Sequence, residues 1–186
     1  MSRSRPVLTT VLTLGMILTV PGRSGLAQTR APTGVDQDAD AALAKLYETT
    51  PAAKMLSSET TGILIFPNIV KAGFLIGGQY GEGALRKGGN TVGYYNITSA
   101  SYGLQAGAQS FGYAMFFMTK ADLAYLEQSA GWELGVGPSV VAVDAGMAKT
   151  LTTTTARAGI FAFIFGQRGL MAGLGLQGSK ISKIVR

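Results

Sequence analysis

The chain contains no cysteine and no histidine. That excludes disulfide cross-links, a lipid anchored through cysteine, zinc sites of the usual nitrogen and sulfur type, cysteine nucleophiles and any triad built on imidazole. Charge is scarce, at 14% of residues, and the last acid is Asp144. No Gly-Lys-Ser or Gly-Lys-Thr closes a phosphate loop. The spacing Gly173, Gly175, Gly178 matches a dinucleotide fingerprint in letters only, because the eight residues left after Gly178 cannot supply the strand–turn–helix unit that aims a helix N-terminus at pyrophosphate. No long apolar run is present either. The uncharged stretch VLTTVLTLGMILTV at 7–20 falls short of the roughly 20 residues that span a bilayer.

That stretch follows Arg3 and Arg5 and precedes SGLA ending at Ala27, small residues at the positions a signal peptidase reads. Residues 1–27 therefore read as an export signal, 28–35 as a flexible lead-in and 36–186 as a single domain. Removing the signal leaves thirteen bases against ten acids, a balance of +3. The charge is uneven. Residues 36–59 hold Asp36, Asp38, Asp40, Glu48 and Glu59 against Lys45 and Lys54, whereas 149–186 hold six bases and no acid. Such a basic end suits an anionic partner or simply a solvated surface.

Acids at the front and Ala39, Ala42, Leu43 and Leu46 at helical spacing predict an amphipathic helix over 37–48. Thr50 and Pro51 resemble an N-cap and first helical position, opening a second helix over 51–57 that buries Met55 and Leu56. A third helix is predicted over 120–128, with Thr119 and Asp122 as a capping box and Leu123 and Leu126 inward. Everything else alternates apolar residues with Gly, Asn, Ser and Gln. TGILIFPNI at 61–69 reads as a strand closed by Pro67 and Asn68, and Leu170, Ala172, Leu174 and Leu176 share one parity, as a sheet with one buried face requires.

The stretch KAGFLIGGQYGEGALRKGG, 71–89, has seven glycines among nineteen residues. Its apolar residues Phe74, Leu75, Ile76, Tyr80 and Leu85 would gain by burial, so linker is the wrong reading. Glycines here predict bulges, bends or close backbone approach, with a hairpin turn near Arg86–Asn90. The fold class is α+β: short N-terminal helices packed on a strongly curved, mostly antiparallel, Gly-rich β-sheet.

Carboxylates such as Glu82, Glu133 and Asp144 show no spacing that pairs them for glycoside chemistry. Ser99, Ser101 and Ser110 read as turn groups. Tyr94, Tyr95, Tyr102, Phe111, Tyr113, Phe116, Phe117 and Trp132 are either core or an interfacial aromatic belt, and FAFIF at 161–165 is open to the same two readings. Bases and aromatics are too poorly interleaved for nucleic acid. An outer-membrane barrel of eight short strands fits the mature length, but the helical opening and basic C-terminus speak against it.

Four blocks in order, IVKAGFLIGGQYGEGAL (69–85), YGLQAGAQSFGYAMFFMT (102–119), WELGVGPSVVAVDAG (132–146) and IFAFIFGQRGLMAGLGLQGSKI (160–181), closely resemble the SYLF domain. That family is a lipid-binding module of bacterial exported proteins and of eukaryotic proteins linking phosphoinositides to actin. In the resemblance, Lys71, Ala72, Gly73 and Phe74 match its first signature, Gly103 and Gly107 its central glycines, and Phe165, Gly169, Leu170, Gly173, Leu176 and Gly178 its closing one. Gln177 stands where the family commonly has an acid. The family's N-terminal amphipathic segment corresponds to 36–57, here net acidic.

The resemblance implies a non-enzymatic module without cofactors that binds anionic phospholipid reversibly at an envelope membrane surface, exported and periplasmic or peripherally membrane-associated. Lys71, Arg86, Lys87, Arg168, Lys180 and Lys183 are the candidate headgroup contacts, with neighbouring apolar residues inserting shallowly. The alternative is an envelope structural or protein-interaction domain that does not touch lipid.

Overall fold

The computed structural model describes residues 34–143, 145–151, 159–169 and 178–185. The segment read as an export signal, most of the expected lead-in and the 170–176 parity pattern lie outside the described residues. Pro32–Arg186 forms one compact unit that holds both cores.

The N-terminal helix α1, Gly34–Thr49, starts two residues earlier than the lead-in boundary predicts and buries Ala39, Ala42 and Leu46 along one stripe. Helix α2, Pro51–Ser57, has Pro51 in its first turn, and Thr50 holds the cap position without a side-chain cap bond. It buries Ala52, Ala53 and Leu56, while Met55 is only half-buried. A seven-residue helix presents one narrow stripe, and Leu56 rather than Met55 falls at its centre.

Strand β1 (Gly62–Lys87) and strand β2 (Asn90–Phe117) pair antiparallel along their whole length about a turn at Gly88–Gly89. Pro67 and Asn68 do not end the strand as expected. They occupy a bulge between Phe66 and Ile69, where a residue without a backbone N–H costs no ladder bond. Helix α3 (Lys120–Gln128) follows, opened by Thr119, whose hydroxyl oxygen accepts the Asp122 N–H at 3.1 Å. Then come β3 (Trp132–Glu133), β4 (Val140–Val143), a short unforeseen helix α4 (Ala145–Thr150), β5 (Ile160–Gly169) and β6 (Lys180–Ile184).

Strand β2 organises the sheet. One edge carries β1, and the other is shared by β5 along 109–117 and β6 along 94–98, with β4 beyond β5 and β3 beyond β6. Among the described residues only the β4–β5 pair is parallel. A strand, not a helix, follows Gly178, which removes the dinucleotide reading.

Strand β1 also doubles back on itself. A Cβ on Gly83 would stand 2.3 Å from the Ile65 carbonyl oxygen, one on Gly81 3.0 Å from that of Asn68, and one on Gly73 2.4 Å from the Gly77 Cα. The two halves of the strand thus approach backbone to backbone about an apex at Leu75, and no residue with a side chain fits these positions.

The bend wraps a first core of Leu64, Phe66, Ile69, Leu85, Tyr95, Ile97, Phe111, Tyr113 and Phe117, closed by Leu123, Leu126 and Trp132. The opposite face packs Ile63, Ile65, Ala84, Ala114, Phe116, Phe161, Phe163 and Phe165 under α1 and α2. Most of the aromatics between 94 and 117 whose side chains are described are therefore core, as are Phe161, Phe163, Phe165 and Trp132. The Trp132 indole donates to the Val136 carbonyl at 2.8 Å and meets Tyr125 edge-on, which satisfies its one polar atom inside.

Burial does not extend to the whole glycine-rich stretch. Leu85 is buried, but Phe74, Leu75 and Ile76 are 75%, 52% and 65% exposed. The expectation that these side chains are buried is corrected: they sit at the apex of the bend, beyond both cores.

Candidate functional site

Cross-strand partners share a sheet face, so register sorts the six candidate bases. Val70, Ser110 and Arg168 lie abreast on the α1 side, and so do Tyr80, Thr98 and Lys180. Lys183, opposite Tyr95, belongs to the other face. Lys71, opposite Gln109, is buried on that other face too. The fold thus brings Arg168 and Lys180 to one side of the sheet and does not bring Lys71 or Lys183 to join them.

Arg86 and Lys87 are committed within the molecule. The Arg86 guanidinium bonds the Asp40 carboxylate at 2.5 Å and the Asp36 carbonyl oxygen at 3.0 Å, fixing the first turns of α1 to the end of β1. Lys87 donates to both carboxylate oxygens of Glu127 on α3, at 2.7 and 2.8 Å. Recruiting either to a ligand would require breaking these pairs. Among the described residues Arg168, Lys180 and Lys183 are exposed and form no ion pair, although Glu133 stands across the ladder from Lys180.

Arg168 borders a cleft of about 380 Å³ between α1 and the sheet. Asp38, Ala41, Ala42 and Lys45 supply the helical wall, the Pro67–Asn68 bulge one rim, and Ser110, Phe111, Gly112, Phe165 and Gly166 the floor. Two irregularities make the opening: the bulge at Pro67–Asn68 and the register shift between Ser110 and Gly112, which faces Gly166 in the left-handed region. Lys45 reaches over Gly166, with Nζ 3.3 Å from where a Cβ would be. The cleft therefore joins Lys45 and Arg168 from elements far apart in the chain, with Asp38 as the single acid. Sequence reading missed Lys45 because it lies in the acidic N-terminal segment. Its only legible signal was the outward position on the helical wheel.

Helix α1 is pinned over this site by a polar knot. The buried Asp36 carboxylate accepts from the Thr91 hydroxyl at 2.7 Å and from the Tyr94 hydroxyl at 2.8 Å. A second cleft of about 350 Å³ beside Asp40, Tyr47, Ser57, Ser58 and Arg86 lies along another flank of α1 and has its cation already paired.

Tyr47, Tyr95 and Tyr113 have raised pKa values. Burial pushes Tyr95 up to about 12, with Glu127 adding to it. Burial alone raises Tyr113 further, and it raises Tyr47 against an opposing hydrogen bond with Ser57. All three are neutral over the working pH range and serve packing. Among the described residues no group of His, Cys, Asp and Glu side chains could hold a metal ion, and no helix is long and apolar enough to cross a membrane.

Residues 98–184 match the family model described as Ysc84, Las17-binding protein actin regulator. This span takes in most of β2 and everything after it, including Arg168, Lys180 and Lys183. No curated protein matches the chain.

Proposed function

We propose that this chain, a member of the SYLF family over residues 98–184, binds the surface of an anionic phospholipid membrane reversibly and without catalysis. The family is one of binding domains, and the residues present nominate no reaction. The observation that carries the reading is a set of bases with no ion pair among the described residues, on strands that themselves carry no acid. Residues 83–121 and 145–186 contain no Asp or Glu, so β2, β5 and β6 present bases alone. On the α1 side these are Arg168 and Lys180, with Lys45 joining Arg168 across the cleft. Near an anionic leaflet each such charge contributes about 1 kcal/mol.

The site of action is the cell envelope, reached through the export signal at 1–27, with the domain peripheral to the membrane. Phosphatidylglycerol and cardiolipin are the anions considered there. Flotation of residues 28–186 with anionic but not neutral vesicles, weakened by salt, is the test. The signal segment is omitted because its apolar run has membrane affinity of its own.

The family description favours a second reading, since it names a protein partner and regulation of actin rather than a lipid. On that reading the same basic face docks an acidic envelope protein, and vesicles are ignored.

A further inference from the structure

The strongest feature that the charged face leaves unexplained is the apex of β1. Phe74, Leu75 and Ile76 are three consecutive large apolar residues, each more than half exposed, at the point where the strand doubles back. Alternation would put one of three neighbours inward. Here the register shifts between Phe74 and Ile76, whose partners on β2 are Ala106 and Tyr102, so a single residue of β1 opposes three of β2. Leu75 takes up the difference at φ 63°, a left-handed conformation that a leucine adopts at a cost, and among the described residues it is the one non-glycine to do so. Gly73 and Gly77 close together beneath it. The bend holds apolar side chains outward where a glycine at 75 would relieve the strain.

The surroundings select the occupant. Arg168 lies opposite Ser110, four β2 residues beyond Ala106, and Lys180 lies opposite Thr98, four residues before Tyr102. Each base is thus set back about 13 Å of strand from the apex, one on either side, at about 3.3 Å per residue. The first acid on β1 past the apex is Glu82, six residues from Ile76, where it accepts the Tyr80 hydroxyl at 2.7 Å. An apolar tip flanked symmetrically by cations matches the layering of an anionic leaflet, in which apolar side chains enter about 5–10 Å and bases stay at the phosphates.

We infer that Phe74, Leu75 and Ile76 are the element that enters the bilayer, wedging into the headgroup and acyl boundary of an anionic membrane while Arg168 and Lys180 hold phosphates on either side. This rests on the membrane-binding reading above and adds which part of the molecule inserts and in what orientation.

The absence of cysteine makes the test direct. Single variants Phe74→Cys, Ile76→Cys and, as a control on the exposed end of α3, Gln128→Cys are made in residues 28–186 and labelled with an environment-sensitive fluorophore. On adding vesicles of phosphatidylglycerol and phosphatidylcholine, emission at 74 and 76 shifts to the blue and is quenched by lipids carrying a shallow nitroxide, while 128 is unchanged. The unlabelled triple variant Phe74→Ser, Leu75→Ser, Ile76→Ser keeps the wild-type thermal transition and loses at least about tenfold in vesicle affinity. Vesicle binding with solvent-like emission at 74 and 76 overturns the wedge and leaves the membrane reading standing. No vesicle binding overturns both. A blue shift that depends on protein concentration without lipid assigns the apex to self-association and likewise overturns the inference.

Discussion

The Tyr94 hydroxyl on β2 donates to the buried Asp36 carboxylate of α1 at 2.8 Å. With Thr91 on the same carboxylate, this contact settles where the helix lies on the sheet, and therefore the geometry of the cleft that its Asp38–Lys45 stretch walls. Replacing Asp36 by Ala strands two hydroxyls and loses charge-assisted bonds. We expect a cost of about 3 kcal/mol, read from urea unfolding, against about 1 kcal/mol for Tyr94→Phe.

The doubling of β1 depends on glycine. Gly83→Ala places a methyl group 2.3 Å from the Ile65 carbonyl oxygen and against the Phe66 ring. A cost of at least about 2 kcal/mol, or loss of folding, is expected. Gly34→Ala, at the exposed start of α1 with open space around it, changes stability by no more than about 1 kcal/mol.

Neutralising bases separates the surface that binds from the pairs that hold the fold. Lys45→Gln, Arg168→Gln and Lys180→Gln should each weaken anionic-vesicle binding by about fivefold at unchanged stability. Lys87→Gln, which breaks a pair with Glu127, should leave vesicle binding alone. Arg86→Gln should instead show up in the unfolding transition, because Arg86 links Asp40 and the Asp36 carbonyl to β1.

Alkaline pH provides a check on the first core. A tyrosine whose folded pKa lies above its unfolded value of 10 holds its proton more tightly when folded, so its contribution to stability is complete below pH 10 and is lost as pH rises through the folded value. For Tyr95 that window is about pH 10–12, and Tyr113 acts in the same direction. Stability should fall above pH 10 by up to about 1.4 kcal/mol per pH unit for each tyrosine. Tyr95→Phe should make the decline shallower. No histidine or cysteine is present to add a step between pH 6 and 9.

The local signals in the sequence were reliable where the physics is local. Pro51, Thr119 with Asp122, and the 39–42–46 stripe placed three helices, and Gly88–Gly89 placed the turn. Position 67 misled because a proline that would end a regular strand is accommodated in a bulge. Phe74, Leu75 and Ile76 misled for a different reason: burial was inferred from side-chain type, whereas exposure is set by the bend, in which Gly81 and Gly83 close on backbone 13 to 18 residues away, about Asn68 and Ile65, a nonlocal event that no short window reveals. The site divides in the same way. Arg168 and Lys180 were found from the acid-free C-terminal run, but only the register shows that they share a face and that Lys183 does not. Ion pairing of Arg86 and Lys87 across 46 and 40 residues of sequence was not legible at all.

Membrane binding through charge is tested by flotation of residues 28–186 with vesicles of phosphatidylcholine alone and with vesicles containing phosphatidylglycerol or cardiolipin, each at low and physiological salt. The protein should float with the anionic vesicles only, and less at physiological salt, where the screening length is about 8 Å. Failure to float with any vesicle at low salt would contradict membrane binding and assign the basic face to a protein partner.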